Sequence, residues 1–295
     1  MPATPHPPVL VSPDAFGGTL RASEVASSIG RGLERAGLVP PDLCPVAGGG
    51  QGTLEVLLTT LGGETAGATA HDALGRPIAA GFALVEDGGT AIVEVSEASG
   101  LHRVAAEERE AVVASTRGTG ELIVAAAASG AQVILVAAGG SVATDGGAGA
   151  IEAIDEAGGL QGARLVVLTE ARTPAEPVAG GLAGALQTRY RAHVEPGAAF
   201  VLKAIGFDER LRAARAVIVG EGRLDAATLE GRITGEIATR ARQAGVPCHA
   251  IVGADAIDRF SARILDLQVI LEAGTRAELE AAGERLGRML DAREA

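Results

Sequence analysis

The feature that most limits how this chain can fold is a repeated pairing of a short apolar run with a glycine-rich loop. The fullest case is Val133 to Gly149, VILVAAGGSVATDGGAG. Val133-Ile134-Leu135-Val136 reads as a strand buried on both faces, since consecutive apolar residues leave no polar side for water. The run then breaks into Gly139-Gly140-Ser141-Val142-Ala143-Thr144-Asp145-Gly146-Gly147. Glycine lacks a Cβ and reaches backbone angles other residues avoid, so main-chain N–H groups can close on an anion. Ser141, Thr144 and Asp145 add two hydroxyls and a carboxylate to the loop. A polar-ligand loop and a plain strand-to-helix connection both satisfy this pattern, because no Walker A lysine is present.

The pairing recurs along the chain. Pro8 to Val11 leads into Ser12-Pro13-Asp14-Ala15-Phe16-Gly17-Gly18-Thr19, and Val25, Ile29 and Leu33 then follow at helical spacing. Leu43 to Val46 runs into Ala47-Gly48-Gly49-Gly50-Gln51-Gly52-Thr53, and Leu54, Leu57 and Leu58 begin another helix. Near the other end, Ala216 to Val219 opens into Gly220-Glu221-Gly222-Arg223-Leu224-Asp225, with further strands at Cys248 to Val252 and Leu267 to Leu271. Thr275 and Glu278 form a capping box for the last helix. Five strands alternating with helices predict a parallel, flavodoxin-like sheet of order 2-1-3-4-5, whose ligands bind at the carboxyl ends of its strands.

The middle of the chain differs. Gly67 to Val95 holds short alternating segments separated by turn-like breaks, which predicts an antiparallel meander. A helix is expected over Ala105 to Ser115, a loop over Ser115 to Glu121, an Ala-rich helix over Leu122 to Ala128, and a close-packed helix over Val178 to Leu186. The reading is therefore α/β throughout: a discontinuous first domain, 1–63 with 201–295, carrying an inserted second α/β domain, 64–200.

Composition removes several function classes. The formal charge is -12 and no basic patch interleaved with aromatics occurs, so a nucleic-acid polymer is not an expected partner. Cys44 and Cys248 have no metal or disulfide spacing, and the five histidines are scattered. The Pro-rich start lacks the charged head and apolar run of a signal peptide, and the apolar runs are interrupted well short of a membrane span. A cytoplasmic protein without membrane partners is expected. Aromatics are 2% of residues, so the core has to be built from Ala, Val, Leu and Ile at close range.

Five segments together resemble the bacterial glycerate kinase family, whose motifs run APDSFKGS, ADGGEGT, STYGTGE, GGSATNDGG and TGEGRxDxQ. The matching segments are Ser12 to Thr19, Ala47 to Thr53, Ser115 to Glu121, Gly139 to Gly147 and Val219 to Ala227, in the family's order across nearly the whole chain. The resemblance is to the glycerate 2-kinase, class I type, and implies the glycerate kinase I fold. It implies ATP- and Mg-dependent phosphorylation of D-glycerate or a related small hydroxy acid, with the organic acid and the nucleotide as small-molecule partners. A homodimer is one admissible assembly. Carried over by matching position, it suggests Asp14, Asp145 and Arg223 as catalytic residues. Thr116, Gly118, Gly120, Gly140, Ser141, Thr144, Glu221, Gly222 and Asp225 would bind substrate or phosphate, and Asp14, Glu170 and Glu221 are candidate metal ligands.

The chain departs from the motifs where charge is expected. The first motif's Ser and Lys are Ala15 and Gly17, and the second motif's Asp and Glu are Gly48 and Gln51. Ala143 and Thr144 stand at the family's Thr-Asn pair, Thr169-Glu170-Ala171 at its CDV segment, Thr173 at its following Asn, and Ala227 and Arg232 at its Gln and later Lys. A long family segment is missing after Pro174. Phosphoryl transfer depends on positioning and charge stabilisation, so these losses leave more than one reading open. The chain is a divergent kinase, a non-catalytic homologue that binds an organic acid or nucleotide as a regulatory or partner protein, or an enzyme using the same site on another substrate.

Overall fold

The computed structural model describes residues 6–17, 19–108, 114–170 and 181–292. The chain begins β1 (Val9–Pro13), α1 (Ala22–Arg35), β2 (Asp42–Leu43) and α2 (Thr53–Leu61). It continues β3 (Glu64–His71), β4 (Pro77–Val85), β5 (Thr90–Glu94) and the single turn α3 (Ser96–Ser99). Next come α4 (Arg117–Ala128), β6 (Val133–Ala137), α5 (Ala148–Glu156), β7 (Arg164–Thr169), α6 (Leu182–Tyr190), β8 (His193–Pro196) and α7 (Gly197–Ala204). The last stretch is α8 (Phe207–Ala213), β9 (Ala216–Gly220), α9 (Ile233–Ala244), β10 (Cys248–Val252), α10 (Arg259–Ile264), β11 (Leu267–Glu272) and α11 (Arg276–Asp291). Two compact units result, residues 1–47 with 202–295 and residues 48–201.

In the first unit the strands lie in the order β11-β10-β9-β1-β2, all parallel. This is the 2-1-3-4-5 sheet read from the sequence. Val9, Val11, Ile218 and Ile251 pack with Val25, Ile29 and Leu33 of α1 and Leu279, Ala282 and Leu286 of α11. With so few aromatics the two helices meet at backbone distance. A Cβ on Gly283 would lie 2.5 Å from the Ile29 carbonyl oxygen, and one on Gly32 would collide with the Glu280 carbonyl. The capping box holds the start of α11: Glu278 N–H donates to the Thr275 hydroxyl at 3.3 Å, and Thr275 N–H donates to the Glu278 carboxylate at 3.0 Å.

The second unit is a six-stranded sheet, β3-β4-β5-β6-β7-β8, antiparallel from β3 to β5 and parallel from β5 to β8. The expected meander is its antiparallel edge. Residues 48–63 belong to this unit instead of the first, because α2 packs on β4 and β5. Ser115 to Glu121 is not a loop: its last five residues are the opening turns of α4. Of the helix expected over 105–115, Ala106–Glu108 forms one tight turn, and 109–113 lie outside the described residues. Ala171, Thr173, Pro174 and the start of the helix expected from Val178 also lie outside them. Among the described residues no helix is long and apolar enough to cross a membrane.

Candidate functional site

The loop after β6 is tied down by its own carboxylate. Asp145 accepts the main-chain N–H of Thr116 at 2.8 Å, of Gly147 at 3.0 Å and of Gly149 at 3.0 Å. The Thr116 and Ser115 hydroxyls add donors at 3.0 and 3.1 Å. Burial alone would raise this carboxyl, but the N–H groups of Thr116, Gly149 and Gly147 outweigh it and hold it below the ordinary carboxylate value. Asp145, expected to be catalytic, is therefore a weak base, and its carboxylate takes N–H groups that a phosphate would otherwise use at the start of α5.

The neighbouring residues of that expected set have internal work as well. Thr116, Gly118 and Gly120 are buried within the second unit. The Thr116 hydroxyl also accepts the Ala150 N–H at 3.0 Å. A Cβ on Gly118 would overlap the His71 carbonyl, and one on Gly120 would lie 2.5 Å from the Ala150 carbonyl oxygen. These glycines, placed in the sequence as ligand binders, let α4 press onto β3 and α5. Ser141 Oγ accepts the Ala143 N–H at 3.0 Å, Thr144 N–H donates to the Ala114 carbonyl at 2.9 Å, and Gly140 takes a positive φ of 77°.

A second carboxylate, Glu94 at the end of β5, does for α2 what Asp145 does for α5. Its Oε1 accepts the Leu54 N–H at 2.6 Å and its Oε2 the Ser96 hydroxyl at 3.0 Å. Glu94 is only 5% exposed, and burial pushes its carboxyl up against those donors. Sequence reading passed over it; the available signal was one acid inside the apolar run Thr90 to Val95.

Around the ends of β6 and β7, backbone packs directly on backbone. Gly50 and Gly139 are close enough that a Cβ on either would lie 2.9 or 2.8 Å from the other's Cα. A Cβ on Gly49 would lie 2.8 Å from the Gly197 Cα. The exposed Glu170, just past β7, lies across Gly48: its Oε1 is 2.6 Å from where a Gly48 Cβ would stand.

The first unit gathers Asp14, Glu221, Gly222, Arg223 and Asp225 at the adjoining ends of β1 and β9. Pro13 pairs with Gly220, and Asp14 N–H donates to the Gly220 carbonyl at 2.8 Å. Gly222 lets the loops touch, since a Cβ there would lie 3.3 Å from the Gly17 nitrogen. Glu221 is 6% exposed; its Oε1 accepts the Thr228 hydroxyl at 2.8 Å, and Arg232 lies 3.4 Å from Oε2. Burial pushes this carboxyl up to about 7, against Thr228 and Arg232. Asp225 caps the short turn Ala226–Glu230 by accepting the Ala227 N–H at 3.1 Å, and Arg223 reaches it at 3.3 Å while staying largely exposed. Arg232 bridges to the same Asp225 at 3.5 Å. Around Gly17 nothing described stands within 4 Å of a Cβ.

Chemically, the first unit offers two arginines to an anion and one buried acid that titrates near neutrality. The second offers main-chain groups, Ser141 and the Glu170 carboxylate at the ends of its parallel strands, the usual ligand position in such sheets. Among the described residues no group of three or more His, Cys, Asp and Glu is placed to hold a metal ion.

Known proteins are similar to this chain. The profile described as the Glycerate kinase family matches residues 9–158 and 160–286. Glycerate kinase of Bacillus subtilis (strain 168) is 30% identical over 325 aligned positions, covering 83% of this chain and 84% of that protein. Glycerate 2-kinase of Escherichia coli (strain K12) is 37% identical over 150 residues, 50% of this chain and 39% of that protein. A crystal structure described as "putative glycerate kinase 2" from Salmonella typhimurium LT2 superposes with a TM-score of 0.77 at 22% identity, covering 98% of this chain and 99% of that one. At that identity the superposition speaks for the fold.

Proposed function

The chain belongs to the glycerate kinase family, and from that premise we propose that it transfers the terminal phosphoryl group of ATP to a hydroxyl of D-glycerate or a closely related small hydroxy acid. The observation that carries this reading is the family match over 9–158 and 160–286, which takes in both compact units with their strand-end loops. The hydroxyl oxygen forms the new bond to phosphorus, the bond to the ADP oxygen breaks, and the hydroxyl proton is released. Little covalent chemistry is asked of the protein; positioning and charge do most of the work.

On this reading Arg223 and Arg232 are the anion partners of the first unit. Arginine holds its charge at any working pH and presents a planar fork to phosphate or carboxylate oxygens. Asp14 and Glu221 supply acceptors beside them, and Ser141 with the Gly139-Gly140 main chain supplies donors in the second unit. Asp145 and Thr116 act as positioning residues. The donor set fits a divalent cation that enters with the nucleotide, because Mg commonly takes one or two carboxylates plus substrate phosphates and water. Such a cation would neutralise phosphate charge, with Asp14 or Glu170 as its protein ligand.

One observation favours the non-catalytic reading: glycine stands at position 17, where the family's motif carries a lysine. A coupled ATP assay on the purified chain with D-glycerate and Mg separates the two. Turnover of about 1 s⁻¹ or more, within the ordinary kinase range, supports the kinase. Calorimetric binding of D-glycerate and ATP-Mg without turnover supports the binding protein, and no binding of either removes both.

A further inference from the structure

We propose that β3 is the pairing edge for a second copy of this chain, the two β3 strands running antiparallel about a twofold axis at Gly67. β3 ends its sheet: among the described residues it pairs with β4 on one side and with no strand on the other. An open edge offers its main-chain N–H and C=O groups to any other strand, and natural sheets guard against this with short strands, charges, prolines or bulges. The other sheet edges of this chain are guarded in those ways. β2 is two residues long. β8 has four residues, carries the His193–Glu195 ion pair and stops at Pro196. β11 carries Glu272 and pairs with β10 through a register shift. β3 has none of these devices between its ends. It runs for eight residues, Glu64–His71, in unbroken register with β4, without a proline and without a charge from Thr65 to Ala70.

The hairpin fixes which groups the edge presents. Asp72 N–H donates to the Arg76 carbonyl at 2.8 Å. By strand alternation the main chain of Ala66, Ala68 and Ala70 then faces β4, and that of Thr65, Gly67 and Thr69 faces away. His71 also faces away, but its N–H donates to the Glu121 carboxylate at 2.8 Å, which closes the edge at that end. The open part, Thr65 to Thr69, reads Thr-Ala-Gly-Ala-Thr, the same in both directions. A twofold interface demands such self-complementarity, so the sequence selects a second copy as the occupant. Pairing about Gly67 sets Gly67 against itself and Thr65 against Thr69 of the second copy, each pair exchanging both N–H···O bonds. Thr–Thr pairs across strands are favourable. Ala66 falls opposite Ala68 and Glu64 opposite Ala70, so half-buried alanines at the rim of the core are covered and no like charges meet.

The test is sedimentation of the full-length chain together with one cross-link. Wild type is expected to run at twice the mass of a single chain. Gly67→Pro removes the donor at the twofold axis but no hydrogen bond to β4, since that N–H faces away; it is expected to run as a single chain and to melt as a folded protein. Thr65→Lys with Thr69→Lys sets like charges opposite each other and should also give single chains, whereas Thr65→Lys with Thr69→Glu sets opposite charges together and should restore the pair. Gly67→Cys is expected to form a disulfide between copies on oxidation, because facing Cα atoms of such a pair lie about 5.5 Å apart. Glu64→Cys should not, since in this register it stands roughly 20 Å along the strand from its own copy. Cys44 and Cys248 are buried and leave the readout clear. A wild-type chain that stays single overturns the proposal. So does a folded Gly67→Pro chain that still pairs, or cross-linking at 64 as readily as at 67. If Gly67→Pro does not fold, the two Thr65 and Thr69 variants decide, and equal masses for both overturn it.

Discussion

The Thr116 hydroxyl donates to the Asp145 carboxylate at 3.0 Å and accepts the Ala150 N–H at 3.0 Å, so one buried oxygen joins the start of α4, the β6 loop and the first turns of α5. Thr116→Val keeps the shape and leaves the Ala150 N–H without its acceptor. Stranding a buried donor costs about 1–3 kcal/mol, and chemical denaturation should read a loss of that order. A loss below about 0.5 kcal/mol would mean that water replaces the hydroxyl.

Asp145 carries a pH signature of defined sign. Burial raises its carboxyl, but the N–H groups of Thr116, Gly149 and Gly147 lower it further, so its folded value lies below the ordinary one. A carboxyl lowered on folding contributes stability above its unfolded value, and that contribution is lost as pH falls through the folded value. Asp145→Asn should melt lower than wild type at neutral pH. Its melting temperature should also fall less steeply than wild type's below about pH 4. Parallel acid limbs for the two proteins would show that other carboxyls dominate acid unfolding.

Glu221 carries the opposite sign. Burial holds its carboxyl at about 7, whereas in the unfolded chain it titrates near about 4.3. The folded chain therefore binds more protons across that window, and stability falls as pH rises through it. Glu221→Gln still offers an oxygen to the Thr228 hydroxyl. It should flatten melting temperature against pH between about 4.3 and about 7, and an unchanged slope there would refute the burial argument.

Gly118 is set by packing. A Cβ there would overlap the His71 carbonyl oxygen, and the nearby Ala98 Cβ would stand 2.9 Å away. Gly118→Ala should destabilise by about 1–3 kcal/mol, as overpacking does, and D-glycerate binding by the fraction still folded should stay at the wild-type affinity. A stable Gly118→Ala chain that loses binding would instead return the glycine to the ligand site.

Gly17 is the place to restore charge. Its Cβ would meet nothing described within 4 Å, so Gly17→Lys should fold normally. Removing one charge-stabilising donor typically costs about 10²–10³ in rate, so on the kinase reading adding one should raise turnover by about tenfold or more. Adding Gln51→Glu completes two of the family's charges, and Gly48→Asp a third. No gain from Gly17→Lys in a folded protein would place the obstacle elsewhere than at this cation.

Much of the fold was legible because the signals are local. An apolar run ending in glycines marks a buried strand and its turn, and Thr275 with Glu278 marks a helix start, whatever the rest of the chain does. The parallel order β11-β10-β9-β1-β2 followed from such units and the flavodoxin-like order they suggest. Short β8 and the membership of 48–63 were not legible, since a four-residue strand has little periodicity and the partner of α2 lies far along the chain.

The sequence by itself determined which residue types line the strand-end loops, that aromatics could not build the core, and which family charges were exchanged. It could not say what each loop residue does, because a glycine that admits an anion and a glycine that admits a neighbouring backbone are the same residue. Only the tertiary structure separated Gly118 and Gly120, closed on His71 and Ala150, from Gly48, covered by Glu170. It likewise showed the Asp145 carboxylate holding the main-chain N–H groups of Thr116, Gly147 and Gly149, and brought out Glu94. The physical reason is that a carboxylate's chemistry depends on the donors folded around it, and those donors come from distant segments of the chain.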